Sequence, residues 1–583
     1  MAEVRAPGVY FQPSEQRIPP LKLRETGRPV FFGITRRGPL DRAVRVTSFD
    51  RFVELFGEPL TDGYLGASLR GFFDNGGETC FVQRVARVHG APGESVAASA
   101  TRVLLDRAGQ PTLTVSAQDP GTWGNELRIT VRAGARSQTF LTRDADAGAA
   151  NIQVKSTHAV TVGTLVRVHD DGVEHWAAVT RVDGKVLAID PPLPSRFASA
   201  APTYVEPHAF DLEIRWYEKS ERFEQLSLFG ASPTYVERVI NERSRLIRVA
   251  ALRPDTPRAL CLPMEVAGLA LAGGADGLED LGPEDFIGHD HGPGDRRGIE
   301  GLVEAPEIDL LVLPDLMAAF ERSRRFHTLR DIEVVQDAAI AHCERSRCRF
   351  ALLDLPPGCD HEEALRWRRQ YDSAHAALYF PWVVVLEGGR RRTVPPSGHV
   401  AGIVARSDRD FGVHKAPANE VVEGIVDLAL LLQDGHLATL NDAGVNCMRP
   451  FAARGLRLWG ARTVSSDAEW RFVNVRRTIS TISADIEDGT QWAVFEPNDR
   501  RLWKRLTRLV IAYLAELRER GVLAGETPEQ AFFVQCDDET NPPDSLDRGM
   551  LVARIGLAVT RPVEFIVFRL SQRLEDQAQD EEE

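Results

Sequence analysis

The sequence predicts an α/β and α+β multidomain protein, with a small all-β domain inserted in it and an extended N-terminal arm. Three observations carry this prediction. Between about residues 245 and 435, short apolar runs alternate with amphipathic segments of helical length, the pattern of a parallel sheet with crossover helices. Between 136 and 205, strand-like runs are separated by the turn signals Asp170-Asp171-Gly172 and Asp183-Gly184. Residues 1–25 carry little helical periodicity, and at 583 residues the chain is several domains long.

Taken in order, residues 1–25 form an arm marked by Pro7, Pro19 and Pro20, with one short apolar run at Val9, Tyr10 and Phe11. Residues 26–135 open the core. A strand over 29–35 precedes a helix capped by Ser48, whose Phe49, Phe52, Val53 and Phe56 share a face and which Gly57 stops. A second helix over 62–74 buries Tyr64, Leu65, Leu69, Phe72 and Phe73, and a strand follows over 79–85. The strand expected at 127–131 finds its partner only at 210–217, so 136–205 reads as an insertion into a loop. In 206–435, strands are expected at 308–313, 349–355 and 379–386, and helices at 329–343, 361–377 and, capped by Asn419, 419–432. In 436–562, a helix capped by Asn498 and lined by Leu502, Leu506, Leu509, Tyr513 and Leu517 ends at Gly521; strands at 531–536 and 551–559 follow. Residues 563–583 combine a strand-like run at 564–570 with an acidic tail.

Within this acidic chain, of net charge −14, one stretch reverses sign: seven arginines lie between Arg449 and Arg477 against two acids, Asp467 and Glu469. Alternating apolar residues, Leu456, Leu458, Phe472, Val473 and Val475, predict short strands whose arginine-bearing faces meet something else. Interleaved Trp and Phe in strand-like alternation fit protein–protein ion pairing at least as well as nucleic acid, and the overall charge argues against nucleic acid as the partner of the whole chain.

Catalysis and cofactors find little support. The segment Ser397-Gly398-His399 resembles the histidine-bearing segment of subtilisin-like proteases, but the nucleophile loop such an enzyme needs is missing, so no catalytic residue is expected and His399 is read as a structural histidine near a strand end. His289, Asp290, His291 and Asp295 sit in a Gly/Pro loop where such residues are ordinary; His342, Cys343, Cys348, Cys359 and His361 lack the paired spacing of a zinc site. Asp537 to Asn541 lacks calcium-loop spacing, and neither a P-loop with its lysine nor a convincing dinucleotide fingerprint occurs. No metal or cofactor is expected. Seven cysteines without CxxC spacing fit a reducing compartment of synthesis, and the longest apolar run is too short to span a bilayer, so no membrane insertion is expected.

A set of motifs spread along nearly the whole chain resembles the contractile tail sheath proteins of phages and related injection systems. They are A-P-G-V-Y near the N-terminus, F-F-D-N-G-G from Phe72, D-P-G-T-W-G-N from Asp119, G-G-A-D-G from Gly273, P-P-S-G-H-V-A-G-I-V-A-R from Pro395 and K-A-P-A-N from Lys415. N-D-A-G-V-N from Asn441, W-G-A-R-T from Trp459, V-R-R from Val475, F-E-P-N-D from Phe495, A-F-F-V-Q-C-D-D-E-T-N-P-P from Ala531 and P-V-E-F-I-V-F-R-L-S-Q from Pro562 continue the series. The resemblance implies a subtilisin-like α/β middle domain without protease activity and an α+β C-terminal sheath domain. It implies a homo-oligomer of hexameric rings stacked helically around an inner tube protein, closed by baseplate and terminator or cap proteins. Assembly in the bacterial cytoplasm, into a phage tail or a released injection particle, belongs to the same expectation. It further implies arms that complete the sheets of neighbouring subunits, here Pro7, Gly8, Val9, Tyr10 and Phe11 at one end and Glu564, Phe565, Ile566, Val567 and Phe568 at the other. On that reading Arg454, Arg457, Arg462, Arg471, Arg476 and Arg477 are candidates to meet carboxylates of neighbouring subunits or of the tube.

Overall fold

The computed structural model describes residues 19–134, 138–158, 160–200, 202–252 and 262–564. Its architecture is mixed α/β with several sheets, the largest of nine strands. Six of these run parallel, in the spatial order Cys80–Arg84, Pro29–Gly33, Leu310–Val312, Phe350–Asp354, Ala376–Phe380 and Val445–Phe451. Most are buried along their whole length because helices cover both faces, which is why they read as continuous apolar runs rather than alternating ones. Val44–Val46 closes one edge antiparallel, and Gly455–Trp459 followed by Glu420–Val421 closes the other. The sheet therefore draws its strands from residues 29–84, 310–380 and 420–459.

Asp315, fully buried, holds one end of this core together. Its carboxylate accepts hydrogen bonds from the backbone N–H groups of Ile34, Tyr64 and Leu65, tying the first strand to the start of the Leu65–Asp74 helix. Burial pushes its pKa up to about 6, against the pull of those three donors. Ser48 caps the Phe49–Phe56 helix by accepting from Arg51 N, as the sequence predicts.

Two further sheets share one core. In the four-stranded sheet, Arg128–Ala133 pairs antiparallel with Phe210–Trp216, setting Ile129 opposite Ile214 and Val131 opposite Leu212. These side chains pack on Leu113 and Val115 from the neighbouring three-stranded sheet. Between the paired strands lies a six-stranded antiparallel sheet running from Thr139–Phe140 to Tyr204–His208, with a core of its own around Val166, Val168, Ala177, Val179 and Leu187.

The structure corrects the local reading in several places. Residues 397–411, where His399 was expected near a strand end, form a fifteen-residue helix, Ser397–Phe411. It packs so closely on the Leu65–Asp74 helix that a Cβ on Gly398 would lie 2.5 Å from Ser68 Cα and one on Gly402 2.4 Å from Phe72 O. Residues 419–432 are not helical: Asn419 has φ +59°, and the short strands Glu420–Val421 and Asp427–Leu428 follow. The expected strand around Phe472 to Val475 is the start of the Val473–Gly489 helix. The helix from His361 ends at Arg368, and the residues expected as one strand over 379–386 divide between Ala376–Phe380 and Val383–Glu387. The cap of the Arg500–Glu519 helix is Asp499, one residue beyond Asn498, which instead accepts a hydrogen bond from Trp503 Nε1.

Candidate assembly interface

The C-terminal unit is built on two helices. Ile482 of Val473–Gly489 meets Leu506, Val510, Tyr513, Leu514 and Leu517 of Arg500–Glu519 in one apolar cluster, and burial of each such side chain contributes about 1.5–3 kcal/mol. Against it packs the hairpin of Phe532–Gln535 and Arg554–Leu557, with Phe532 opposite Leu557 and Val534 opposite Ile555. Among the described residues, no third strand joins this sheet. Among the described residues each strand thus has one ladder partner, Leu523 bridges Val559 just beyond Arg554–Leu557, and Phe533 is 58% exposed. A two-stranded sheet is marginal by itself, so this one rests on its helical support.

Residues 19–28 run as a strap between this unit and the parallel sheet. Leu21 inserts into the helical cluster, tight enough that a Cβ on Gly489 would lie 1.8 Å from its Cδ2. Arg24 Nε donates to Asp485 Oδ1 at 2.7 Å and its Nη2 to Asp488 Oδ2 at 2.6 Å, while Tyr513 donates its hydroxyl to Asp485. Thr26 Oγ1 donates to Asp408 Oδ2 at 2.7 Å, and the N–H groups of Gly27 and Arg28 donate to Asp309 at 3.0 and 2.6 Å.

Arg477 closes this joint. Its Nη1 donates to Asp408 Oδ1 at 3.0 Å and its Nη2 to Asp309 Oδ2 at 2.8 Å, with the side chain only 3% exposed. Burial works against its charge, but the two carboxylates outweigh burial and hold its pKa above the ordinary arginine value. Arg462 is also spent within the chain: Nε donates to Glu564 Oε1 at 2.8 Å and Nη1 to Asn441 O at 2.8 Å. Arg476 is partly buried over the Trp470 ring, 4.2 Å from its centroid, and burial pushes its pKa down to about 10. Arg454 and Arg457 reach Asn419, and Arg454 and Arg471 are exposed. The arginine-rich stretch therefore divides. Arg462 and Arg477 are internal anchors, and Arg454, Arg457 and Arg471 keep access to solvent. Of the expected arm residues, Glu564 is described; Pro7, Gly8, Val9, Tyr10, Phe11, Phe565, Ile566, Val567 and Phe568 lie outside the described residues.

The Ser-Gly-His segment is not arranged as a catalytic relay. Ser397 gives its hydroxyl proton and its backbone N–H to Asp354, not to a histidine. Burial pushes Asp354 up to about 7 and His399 down to about 4, so His399 is neutral near pH 7. Among the described residues, His399 Nδ1 has no hydrogen-bond partner, and its ring lies where a Cβ on Gly71 would be, at 2.6 Å. The residues around His342 do not gather into a site: His342 accepts from Arg349, and His361 stacks on His436. Asp537 takes the N–H groups of Glu539 and Thr540 in a turn.

Sequence reasoning missed the strap and its carboxylate partners. The only local signal was Arg24-Glu25-Thr26-Gly27, a polar run that follows the prolines and gives no hint of Asp309, Asp408 or Asp485, which lie hundreds of residues away.

Two family models match consecutive parts of the chain: phage tail sheath protein central domain over residues 331–464 and phage tail sheath C-terminal domain over 465–573. A putative prophage major tail sheath protein of Pseudomonas aeruginosa (strain UCBPP-PA14) is 27% identical over 292 residues, covering 49% of this chain and 71% of the relative. The helical sheath of the anti-feeding prophage in its contracted state aligns over 98% of this chain and 100% of its own, with a TM-score of 0.52 at 19% identity. The sheath of an extracellular contractile injection system, PVC, also contracted, aligns over 99% and 100%, with a TM-score of 0.51 at 18% identity. At these identities the two structures speak for the fold alone.

Proposed function

The chain belongs to the contractile tail sheath protein family, and from that premise we propose that it is the structural subunit of a contractile sheath, polymerising as stacked hexameric rings around an inner tube. Contraction of those rings drives the tube through a target envelope. The observation that carries this reading is the unbroken match to the family's central and C-terminal domains over residues 331–573. The six-strand parallel sheet with its crossover helices supports reading the middle of the chain as the family's subtilisin-like unit, used as scaffold rather than as protease.

The arms are proposed to complete the open hairpin edges of neighbouring copies. Each backbone hydrogen bond gained contributes about 0.5–1.5 kcal/mol net, to which side-chain burial adds. The position of the two buried arginines supports this arrangement. Arg477 is linked through Asp408 and Asp309 to residues 26–28, where the N-terminal arm departs, and Arg462 holds Glu564, where the C-terminal arm departs. Anchored roots would let the arms stay engaged while whole subunits rotate about them. Arg454, Arg457 and Arg471 are left to meet carboxylates of neighbours or of the tube, and baseplate and terminator proteins are the expected partners at the sheath's ends. Negative-stain microscopy of the expressed chain tests the reading: long tubes are expected, and strictly monomeric protein at high concentration would contradict it.

A further inference from the structure

Far from the arms in sequence, a surface hairpin gathers three side chains of metal-ligand type. The two-residue strands His289–Asp290 and Arg296–Arg297 pair antiparallel, His289 opposite Arg297 and Asp290 opposite Arg296. Their turn is closed by His291 N donating to Asp295 O and Asp295 N donating to Gly292 O, both at 3.1 Å. Closing it this way folds the Asp295 carboxylate back against both imidazoles: His289 Nε2 lies 3.0 Å from Oδ1, and His291 Nδ1 lies 3.3 Å from Oδ2. The two rings stack with centroids 4.2 Å apart, and one donor atom from each of the three residues lies within 4.8 Å of the other two.

An ion that holds imidazole nitrogen and carboxylate oxygen at about 2.0–2.2 Å in tetrahedral geometry sets neighbouring donor atoms about 3.3 Å apart. Each imidazole already lies close to that distance from one oxygen of the Asp295 carboxylate, His289 from Oδ1 and His291 from Oδ2, and rotation of the His291 side chain, which is 66% exposed, brings single donor atoms that lie within 4.8 Å of one another to the full set of edges. Asp290 is committed elsewhere. Its Oδ1 accepts from Arg296 Nε at 2.8 Å and from Gly292 N at 3.0 Å, and this stiffens the turn that aims the other three. Among the described residues this is the one group of histidine, cysteine and carboxylate side chains whose donor atoms converge in this way.

We propose that His289, His291 and Asp295 form a binding site for a divalent transition-metal ion of the zinc class, with three protein ligands and an open position facing solvent. Two imidazoles and one carboxylate favour such an ion over magnesium or calcium, which take oxygen ligands in greater number. The site is independent of the assembly reading, because all its ligands come from one hairpin of one chain.

The test uses the full chain, stripped by chelator and with accessible cysteines alkylated, titrated with Zn²⁺ in competition with a chromophoric indicator at neutral pH. Wild type should bind one more equivalent than the double variant His289→Ala/His291→Ala, and Asp295→Asn should weaken that equivalent by more than about tenfold. Identical stoichiometry and affinity in wild type and double variant would overturn the proposal. A second measurement needs no variant. Zn²⁺ should protect His289 and His291 of the wild-type chain from diethylpyrocarbonate severalfold, read by mass spectrometry of the peptide that carries them, and equal modification with and without the ion would also overturn it.

Discussion

The parallel sheet and the C-terminal hairpin solve the same problem in opposite ways. In the sheet, strands such as Phe350–Asp354 are flanked on both sides and covered on both faces, and antiparallel strands close its two edges. In the hairpin, Phe532–Gln535 and Arg554–Leu557 have one strand partner each among the described residues, and Phe533 is exposed. The first region pairs its strands within the chain; the second, among the described residues, leaves each strand with one partner, and these edges are the ones proposed to receive another copy's arm. On the proposed strand exchange, the subunit must both hold its shape and exchange strands, and so needs one region of each kind, joined firmly enough that force on one reaches the other. Arg477, Asp408, Asp309 and the 19–28 strap make that joint.

The joint is where the comparison breaks most easily. Arg477→Met leaves the buried Asp408 and the part-buried Asp309 without their cation, and removing one partner of a buried pair costs about 3–5 kcal/mol. Thermal or urea unfolding should show that loss, with the C-terminal unit melting apart from the sheet; a variant as stable as wild type would mean that the ion cluster does not couple them.

Inside the sheet unit, pH provides a probe of comparable size. His399 has its folded pKa depressed from 6.5 to about 4, so its contribution is fully present above pH 6.5 and is lost as pH falls towards 4. Asp354, pushed up to about 7, and Asp315, pushed up to about 6, bind protons more readily when folded and act in the opposite direction over part of that range. The useful quantity is therefore a difference. Relative to His399→Gln, wild type should lose up to about 3 kcal/mol between pH 6.5 and 4, measured by urea unfolding at each pH. A difference that stays constant with pH would show that His399 is protonated alike in folded and unfolded chains.

The smallest expected effect on stability comes from the hairpin. Phe533→Lys changes an exposed residue and should alter unfolding by no more than about 0.5 kcal/mol. The same change puts a charge on an edge proposed to receive a neighbour's strand, so tube formation should fall sharply. Tubes as abundant as those of wild type would remove this edge from the assembly.

The same contrast explains what could be read from the sequence. Elements whose signals are local were legible: the Ser48 cap, the turn at Asp170-Asp171-Gly172 between Leu165–His169 and Glu174–Asp183, and the apolar face of Arg500–Glu519. Helices shaped by tertiary contact were not. Val473–Gly489 carries β-branched Val473, Val475, Thr478, Ile479, Thr481 and Ile482, which favour strands, and buries Asn474, Arg477 and Asp485 against partners far along the chain. Ser397–Phe411 contains Gly398 and Gly402, poor helix formers that are needed because a neighbouring helix backbone lies where a Cβ would be. The arginine-rich stretch was legible as charge but not as geometry. Nothing in its spacing separates Arg477, buried on two aspartates, from Arg471, which is exposed.

The central claim, that the open C-terminal unit is completed by the arms of other copies, is tested most directly by deleting residues 1–15 and examining the product by size-exclusion chromatography and negative-stain microscopy. The account predicts a folded monomer that forms no tubes, since the strap at 19–28 and the joint at Arg477 remain in place while the donated strand is gone. Tubes of normal length and abundance from the truncated chain would contradict it.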